Sequence, residues 1–422
     1  MSTPAANAVE ERTRHWLEGN YLAAIAAFRG ASQIVYDPDG RPRNFTRYHF
    51  QEVQRKLRIF RWLDRFEFGS FIDIGSGFDE YPNFVRERYG VPAYFADFAH
   101  SMNLPYGGRE QGKLDHAVTL NIARLPFADG AFDVVLSSEV LEHLVRPVEC
   151  IAELLRVARR YLVMTSLEAL SANRWQRWLS HWRVDTSQPH VERNFFVLDE
   201  LEAIFGPDWR HENLFYDGTL PASVFHPLEA QEAAYRSLGD VEALTDALCR
   251  AASVTDHRRG AMGILIVKAQ PGATLRPPAP NDHELAHWLI RRTASGQHAG
   301  ARLVEQIRDG TASFAEKDRP LAPELIALLR CPDCRGPLDA AGAGVRCPAC
   351  GTVFAGEYGV PILYPTRQAT DSQWLSRLCQ GDARRRRTIR RVLQRLRRNE
   401  DPPGVRRRLF THLDRVVTRR RA

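Results

Sequence analysis

Short apolar runs alternate with helix-like segments from about residue 68 to residue 269, and this alternation most constrains the fold. Six runs are predicted as buried strands: GSFIDIG, AYFAD, AVTLN, FDVVLSS, YLVMTS and GILIVKA. Between two of them, PVECIAELLRVARR places apolar residues at helical spacing. Strands that alternate with helices favour an α/β fold built on a doubly wound parallel sheet.

The first predicted strand ends in the glycine turn FIDIGSGFDE, residues 71–80. Ligands of open α/β sheets bind at the carboxyl ends of the strands, and glycine lets the backbone approach them closely. Glu80 stands where a dinucleotide fingerprint needs its third glycine, and no Lys-Ser or Lys-Thr pair marks a phosphate loop. The turn therefore favours a ligand without phosphates, and Asp79 and Glu80 are interpreted as acids of a helix start.

S-adenosylmethionine (SAM) has the matching charges. Asp73 can accept from its ammonium group, and the N–H groups of Gly75 and Gly77 can bind its carboxylate. Asp97 ends the second strand 20 residues after Gly77 and is placed to accept from ribose hydroxyls.

The stretch 71–144 resembles the class I SAM-dependent methyltransferases. FIDIGSG is similar to their first motif, AYFAD to their second-strand acid, and LPFADGAFDVVLSSEVLEHL to their third-strand exit and fourth strand. The resemblance covers about residues 45–270 and implies a Rossmann-like methyltransferase sheet that binds SAM. The cofactor-binding residues predicted with it are Asp73, Gly75, Gly77, Asp97, Phe98, Asn121, Ile122 and Ser138.

This chain departs from the family pattern at two places. Asn121 stands where the family more often has Asp, although its side-chain oxygen can still accept from an adenine amino group. RVARRYLV lacks the Pro-Gly-Gly turn that is common before the fifth strand.

Methyl transfer is a direct displacement that needs mainly alignment, and a general base is needed only if the acceptor loses a proton. His143, just past the fourth strand, and His190, in QPHVERNFF, are the candidate catalytic residues. For His143, packing at a helix start is an equally open interpretation.

Four cysteines lie within 20 residues as CPDC and CPAC, separated by 12 residues. Cys331, Cys334, Cys347 and Cys350 at this spacing predict a closed, structural zinc site. A redox-active dithiol is the alternative, but no thioredoxin-like βαβ pattern surrounds the pair.

The cysteine flanks, about residues 325–365, resemble the small zinc-ribbon activator subunit of tRNA, rRNA and release-factor methyltransferases. In that family the ribbon binds and stabilises a catalytic subunit. The resemblance implies that here it is fused to its own catalytic domain, with Val360, Ile362 and Leu363 as candidates to pack on it.

The positive charge of the chain is concentrated at its end. Residues 366–422 hold 18 Arg against 5 acids, a net charge of +13, so the rest of the chain carries −6 of the total of +7. The segments RRRRTIRRVLQRLRR and VRRRLFTHLDRVV each place apolar residues on one helical stripe. Residues 384–421 therefore either pack on the acidic body or bind an anionic partner weakly, RNA or a membrane surface.

No stretch of about 18 apolar residues predicts a transmembrane helix, and the polar start does not resemble a secretory signal, so a cytoplasmic enzyme is expected. The predicted domain organisation is a helical segment 1–66, a methyltransferase domain 67–270, a Pro-rich linker 271–285, a helical connector 286–327, a zinc ribbon 328–365 and a basic helical tail 366–422.

The methyl acceptor is unidentified; a small metabolite, lipid or glycan intermediate is favoured. The alternatives are an RNA or protein methyltransferase that uses the tail, and a non-catalytic scaffold that binds a partner.

Overall fold

A nine-stranded sheet with helices on both faces forms the centre of the part of the chain that is described. In this computed structural model the described residues are 47–77, 81–98, 117–141, 144, 147–166, 201, 204–206, 209–215, 241–253, 261–278, 282–295, 320–357 and 359–366. Among them, no helix has the length and apolar character needed to cross a membrane.

The strands follow one another in a mixed order across the sheet. They are β1 Phe71–Ile74, β2 Ala93–Asp97, β3 Ala117–Leu120, β4 Phe132–Ser138, β5 Ala158–Ser166, β6 Trp209–Phe215, β7 Ala261–Ala269, β8 Asp339–Ala341, β9 Gly344–Arg346, β10 Val353–Phe354, β11 Gly356–Glu357 and β12 Val360–Leu363. The nine-stranded sheet has the order β11-β12-β3-β2-β1-β4-β5-β7-β6, and β10-β9-β8 form a separate sheet.

The middle of the large sheet is parallel, as the sequence predicted. Strands β12, β3, β2, β1, β4 and β5 pair in parallel, whereas β7 runs antiparallel to both β5 and β6. Every residue of β1, β2, β3 and β4 is buried, which is typical of strands covered on both faces. All these parallel strands end at one edge, where a ligand site is expected.

Helices cover both faces, and the described core has two large clusters and a small third one. The helices are α1 Arg47–Leu63, α2 Tyr81–Tyr89, α3 Pro147–Val157, α4 Val241–Ser253, α5 His283–Ser295 and α6 Pro323–Leu328. Phe60 of α1, Leu248 of α4 and Leu289 of α5 pack in one cluster, with Phe71 of β1. The next residue of β1, Ile72, points to the other face and joins the cluster of α3 and α6.

The beginning of the predicted Pro-rich linker is bound to the body. Within residues 271–278, the N–H of Arg276 donates to the carbonyl of Arg65 at 2.8 Å, and the carbonyl of Thr274 accepts from the hydroxyl of Tyr161. Leu275 also forms an isolated antiparallel β-bridge with Phe66, so a proline-rich composition does not prevent packing here.

Residues 320–366, here called the cysteine domain, are joined to the large sheet by a strand. β12 lies beside β3, with Ile362 opposite Thr119 and Leu363 opposite Leu120. Val360 packs against Phe95 and Ala117 of the body, and Leu363 joins the core cluster of α3. The expected packing of this segment on the body is confirmed, and it includes strand pairing at Ile362 and Leu363.

Candidate functional site

The carboxyl end of β1 opens into a tight glycine turn. Gly75 and Gly77 have φ values of +83° and +49°, a region that favours glycine. A Cβ at Gly75 would overlap Cγ2 of Val140 and would lie 3.2 Å from its Cγ1. Gly75 is therefore required for two reasons, its backbone conformation and the space beside Val140.

Buried acids stand at the ends of β1 and β2. Asp73 is 1% exposed and Asp97 is 8% exposed. The N–H of Gly77 donates to Oδ2 of Asp97 at 3.0 Å, so this carboxylate fixes the glycine turn. The structure thus brings Asp73, Gly75, Gly77 and Asp97 together at one sheet edge. Their contacts with a cofactor stay predictions.

The N–H groups of the two glycines differ from their expected use. Instead of standing open for a ligand carboxylate, the N–H of Gly75 donates to the carbonyl of Ala96 at 2.7 Å, and that of Gly77 donates to Asp97. In this structure the glycines provide the turn and the space, because their donors hold β1 and β2 together.

The exit of β3 carries the pair predicted beside adenine. Asn121 caps the short 3-10 turn Ile122–Arg124, and its Oδ1 accepts from the N–H of Ala123 at 3.0 Å. A carboxamide oxygen has two lone pairs, so this bond leaves capacity for an adenine amino group. Ile122 is half-buried beside it.

Two further residues predicted to bind the cofactor, Phe98 and Ser138, lie at the same edge of the sheet. Phe98 directly follows Asp97 and is 37% exposed. Ser138 ends β4, is 5% exposed, and its Oγ lies 2.9 Å from Oγ1 of Thr165 on β5.

Glu139 is a candidate that the sequence reasoning missed. It follows β4 with φ of 56°, which is uncommon for a residue other than glycine and occurs often at functional sites. Its N–H donates to the carbonyl of Thr165 at 3.1 Å, and its Oε1 accepts from the Thr165 hydroxyl at 2.9 Å. The sequence signal that could have found it is an acid directly after a buried parallel strand. Its left-handed backbone could not be predicted from the sequence.

The two histidines proposed as catalytic residues, His143 and His190, lie outside the described residues. Their roles stay predictions from the sequence.

The four cysteines of the two CxxC pairs form a compact cluster. Their Sγ atoms all lie within 4.8 Å of one another. Sγ of Cys331 is 3.7 Å from that of Cys350, and Sγ of Cys334 is 3.4 Å from that of Cys347. A tetrahedron with Zn–S bonds of about 2.3 Å has sulfur–sulfur edges of about 3.8 Å. These separations fit four thiolates around one zinc ion.

The two CxxC turns have the same backbone pattern. Arg335 N–H donates to the carbonyl of Cys331 at 2.8 Å, and Gly351 N–H donates to the carbonyl of Cys347 at 2.9 Å. Both donors are left-handed, with φ of 67° and 75°. Hydrogen bonds from the hydroxyl and N–H of Thr352 lower the pKa of Cys350 to about 6, whereas burial raises the pKa of Cys331.

The sequence profile of the methyltransferase domain family matches residues 72–161, from β1 into β5. No curated protein sequence matches the chain. Among similar solved structures is a SAM-dependent methyltransferase from Archaeoglobus fulgidus, at 18% identity and a TM-score of 0.34. The alignment covers 52% of this chain and 94% of that chain.

Two further structures are similar. One belongs to the complex of a Haloferax volcanii methyltransferase activator with a methyltransferase, at 14% identity and a TM-score of 0.35, with 53% of this chain and 93% of that chain covered. The other is a SAM-dependent methyltransferase from Mesorhizobium loti, at 14% identity and a TM-score of 0.33, with 51% and 96% covered.

The domain match spans the strands whose carboxyl ends hold the glycine turn and the buried acids Asp73 and Asp97. Residues 72–161 are therefore similar to a methyltransferase domain.

Proposed function

We propose that this chain is a methyltransferase that binds SAM at the carboxyl edge of its sheet and methylates a small metabolite, lipid or glycan intermediate. One observation carries the cofactor part. The buried carboxylate of Asp97 holds the turn at Gly77, so an acid and a glycine turn lie together without a phosphate-binding lysine. When bound, SAM supplies an electrophilic methyl group on its sulfonium.

The residues of the chain then bind and orient the cofactor. Asp73 accepts from the ammonium group, and Asp97 accepts from the ribose hydroxyls while it keeps its bond to Gly77, because a carboxylate offers about four lone-pair sites. Asn121 and Ile122 lie along the adenine. The glycines leave room for the methionine end.

The acceptor side is proposed at the end of β4. Glu139 is locked in place by Thr165 and is only half-buried. Its carboxylate can orient an acceptor hydroxyl or amine, which supports transfer through alignment. If the acceptor loses a proton, His143 is the proposed general base.

A structural zinc ion is proposed in the cysteine domain. The four Sγ atoms within 4.8 Å and the matching CxxC turns support this assignment. With thiolates at all four positions, zinc has no open position for a substrate, so its proposed role is to hold the domain together.

The preference for a small acceptor rests on charge. The chain outside residues 366–422 has a net charge of −6, which repels polyanions. The basic tail, which lies outside the described residues, keeps RNA as the alternative acceptor.

The test is methyl transfer from labelled SAM into fractionated cell extract, followed by separation of RNA, protein, lipid and small molecules. Label in small molecules or lipid supports the proposed acceptor class, and label in RNA overturns it. Calorimetry with SAM, with Asp97→Asn as a variant, tests the cofactor assignment separately. If Asp97→Asn bound SAM as tightly as the wild-type chain, the proposed role of Asp97 would be contradicted.

A further inference from the structure

The cysteine domain ends at the edge where SAM is proposed to bind. β12 is parallel to β3, and Leu363 lies opposite Leu120. The next residues along each strand, Tyr364 and Asn121, therefore leave the sheet at the same edge. The pairing of β12 with β3 therefore fixes the end of the cysteine domain beside the edge where SAM is proposed to bind.

Tyr364 reaches across β3 to the end of β2. Its hydroxyl donates to the carbonyl oxygen of Phe98, and the two ring centroids lie 5.3 Å apart at 62°. Edge-to-face aromatic pairs of this kind are stabilising. Because Phe98 directly follows Asp97, the proposed ribose ligand, this contact fixes the backbone beside the ribose.

Arg124 makes a second, independent connection. Its Nε donates to the carbonyl of Pro332, and its NH2 group donates to the carbonyl of Asp333 at 3.0 Å. Both carbonyls lie inside the first CxxC turn. Arg124 itself ends the 3-10 turn Ile122–Arg124, which carries the residues proposed beside adenine.

The first CxxC turn also holds the end of β12. Asp333 accepts from the N–H of Thr366 through Oδ1 at 2.8 Å. Any metal that orders Cys331 and Cys334 therefore orders this acid, and with it the chain that carries Tyr364. The cysteine domain has a small core, and such domains depend on their metal for folding.

From these contacts we propose that metal occupancy of the cysteine cluster sets the affinity of the enzyme for the adenosine part of SAM. Tyr364 and Arg124 are the positioning residues that transmit the effect, through the backbone at Phe98 and through the 3-10 turn after Asn121. This inference rests on the proposed SAM and zinc sites. It adds that the two sites are energetically coupled.

Coupling between two binding sites is reciprocal. If zinc tightens SAM binding by a given factor, SAM must tighten zinc binding by the same factor. Typical couplings correspond to about 5- to 150-fold, so the effect is measurable in both directions.

The test uses the zinc-loaded full chain, with zinc content measured for each variant. Tyr364→Phe keeps the ring and removes one hydrogen bond, so the SAM dissociation constant should rise about two- to tenfold. Arg124→Ala removes two charge-assisted bonds and should raise it by about tenfold or more. 5′-Methylthioadenosine lacks the amino-acid end of SAM. Its dissociation constant should rise in each variant by the same factor as that of SAM.

Two matched variants serve as controls. Tyr89→Phe removes a tyrosine hydroxyl bond to Asp64, at the end of α2. Arg159→Ala removes an arginine that binds the carbonyl of Gly130 at the opposite, amino-terminal edge of the sheet. Both should leave the SAM dissociation constant unchanged.

Zinc affinity is measured in the same set by competition with a chelator, with and without saturating SAM. SAM should raise zinc affinity in the wild-type chain, and less in Tyr364→Phe and Arg124→Ala. The coupling would be overturned if neither substitution weakened SAM binding, or if SAM left the zinc affinity of the wild-type chain unchanged. Either result would leave the proposed function intact. A zinc-loaded wild-type chain that fails to bind SAM would overturn the proposed function and the coupling together.

Discussion

Gly75→Ala tests the physical basis of the cofactor turn. At φ of +83°, an alanine is strained by about 1–2 kcal/mol relative to glycine. Its Cβ also overlaps Val140, and overpacking of a filled site costs about 1–3 kcal/mol. The free energy of unfolding should therefore fall by about 2–5 kcal/mol, since the two costs add.

Two comparison variants separate these costs. Val140→Ala added to Gly75→Ala removes both Cγ atoms and should recover about 1–3 kcal/mol, and the backbone strain should stay. Gly90→Ala has φ of +68° and no atom within 4 Å of its Cβ, so it should show the strain alone.

The assay is denaturant unfolding of the four chains, together with calorimetric titration by SAM. Gly75→Ala should also weaken SAM binding, because the turn at the cofactor edge must shift. The reasoning would be refuted if Gly75→Ala destabilised no more than Gly90→Ala, or if the Val140 substitution recovered nothing.

Three further predictions follow from the described contacts and from the sequence. Removal of zinc by a chelator should unfold residues 330–365 first, because they form a small domain around the metal; amide exchange that stays slow there would contradict the zinc site. Burial raises the pKa of Glu153, but hydrogen bonds from Arg156 and Arg335 outweigh this and hold it below its ordinary value. A carboxylate with a lowered folded pKa stabilises the fold above its unfolded pKa of about 4.3 and loses that contribution as the pH falls through the folded value. The bond from Arg335 of the cysteine domain to Glu153 should therefore weaken as the pH falls through the folded pKa of Glu153, and unfolding midpoints of Glu153→Gln should lack this pH dependence. His143→Ala should lower turnover and leave SAM affinity unchanged; the opposite pattern in calorimetry and kinetics would refute its role as a base.

The parallel centre of the sheet was predictable because its strands are buried on both faces. β1 (FIDI) and β4 (FDVVLSS) are short, mainly apolar runs, and such runs stand out in a sequence. β6, Trp209–Phe215, was missed for the opposite reason: it lies at the sheet edge, and WRHENLF is a mostly polar segment in which Leu214 is buried. The antiparallel direction of β7 depends on topology, which local composition does not report.

The clustering of the four cysteines was predictable because two CxxC pairs at this spacing are typical of a metal site. Cys331 and Cys334 with their partner pair indicated a metal cluster from spacing alone, and the glycine turn indicated a ligand edge. The left-handed backbone of Glu139 and the contact between Tyr364 and Phe98 could not be predicted, because both depend on the positions of distant chain segments.

The position of β12 also bears on what fragments of this protein can do. In the full chain, β12 pairs with Thr119 and Leu120 of β3 and leaves the two-residue β11 as the outer strand on that side. A chain shortened before residue 320 would present the N–H and C=O groups of β3 as an open edge, a template for self-association. Because the covering strand is supplied by the same polypeptide, its stoichiometry is fixed at one per sheet, and dilution cannot remove it.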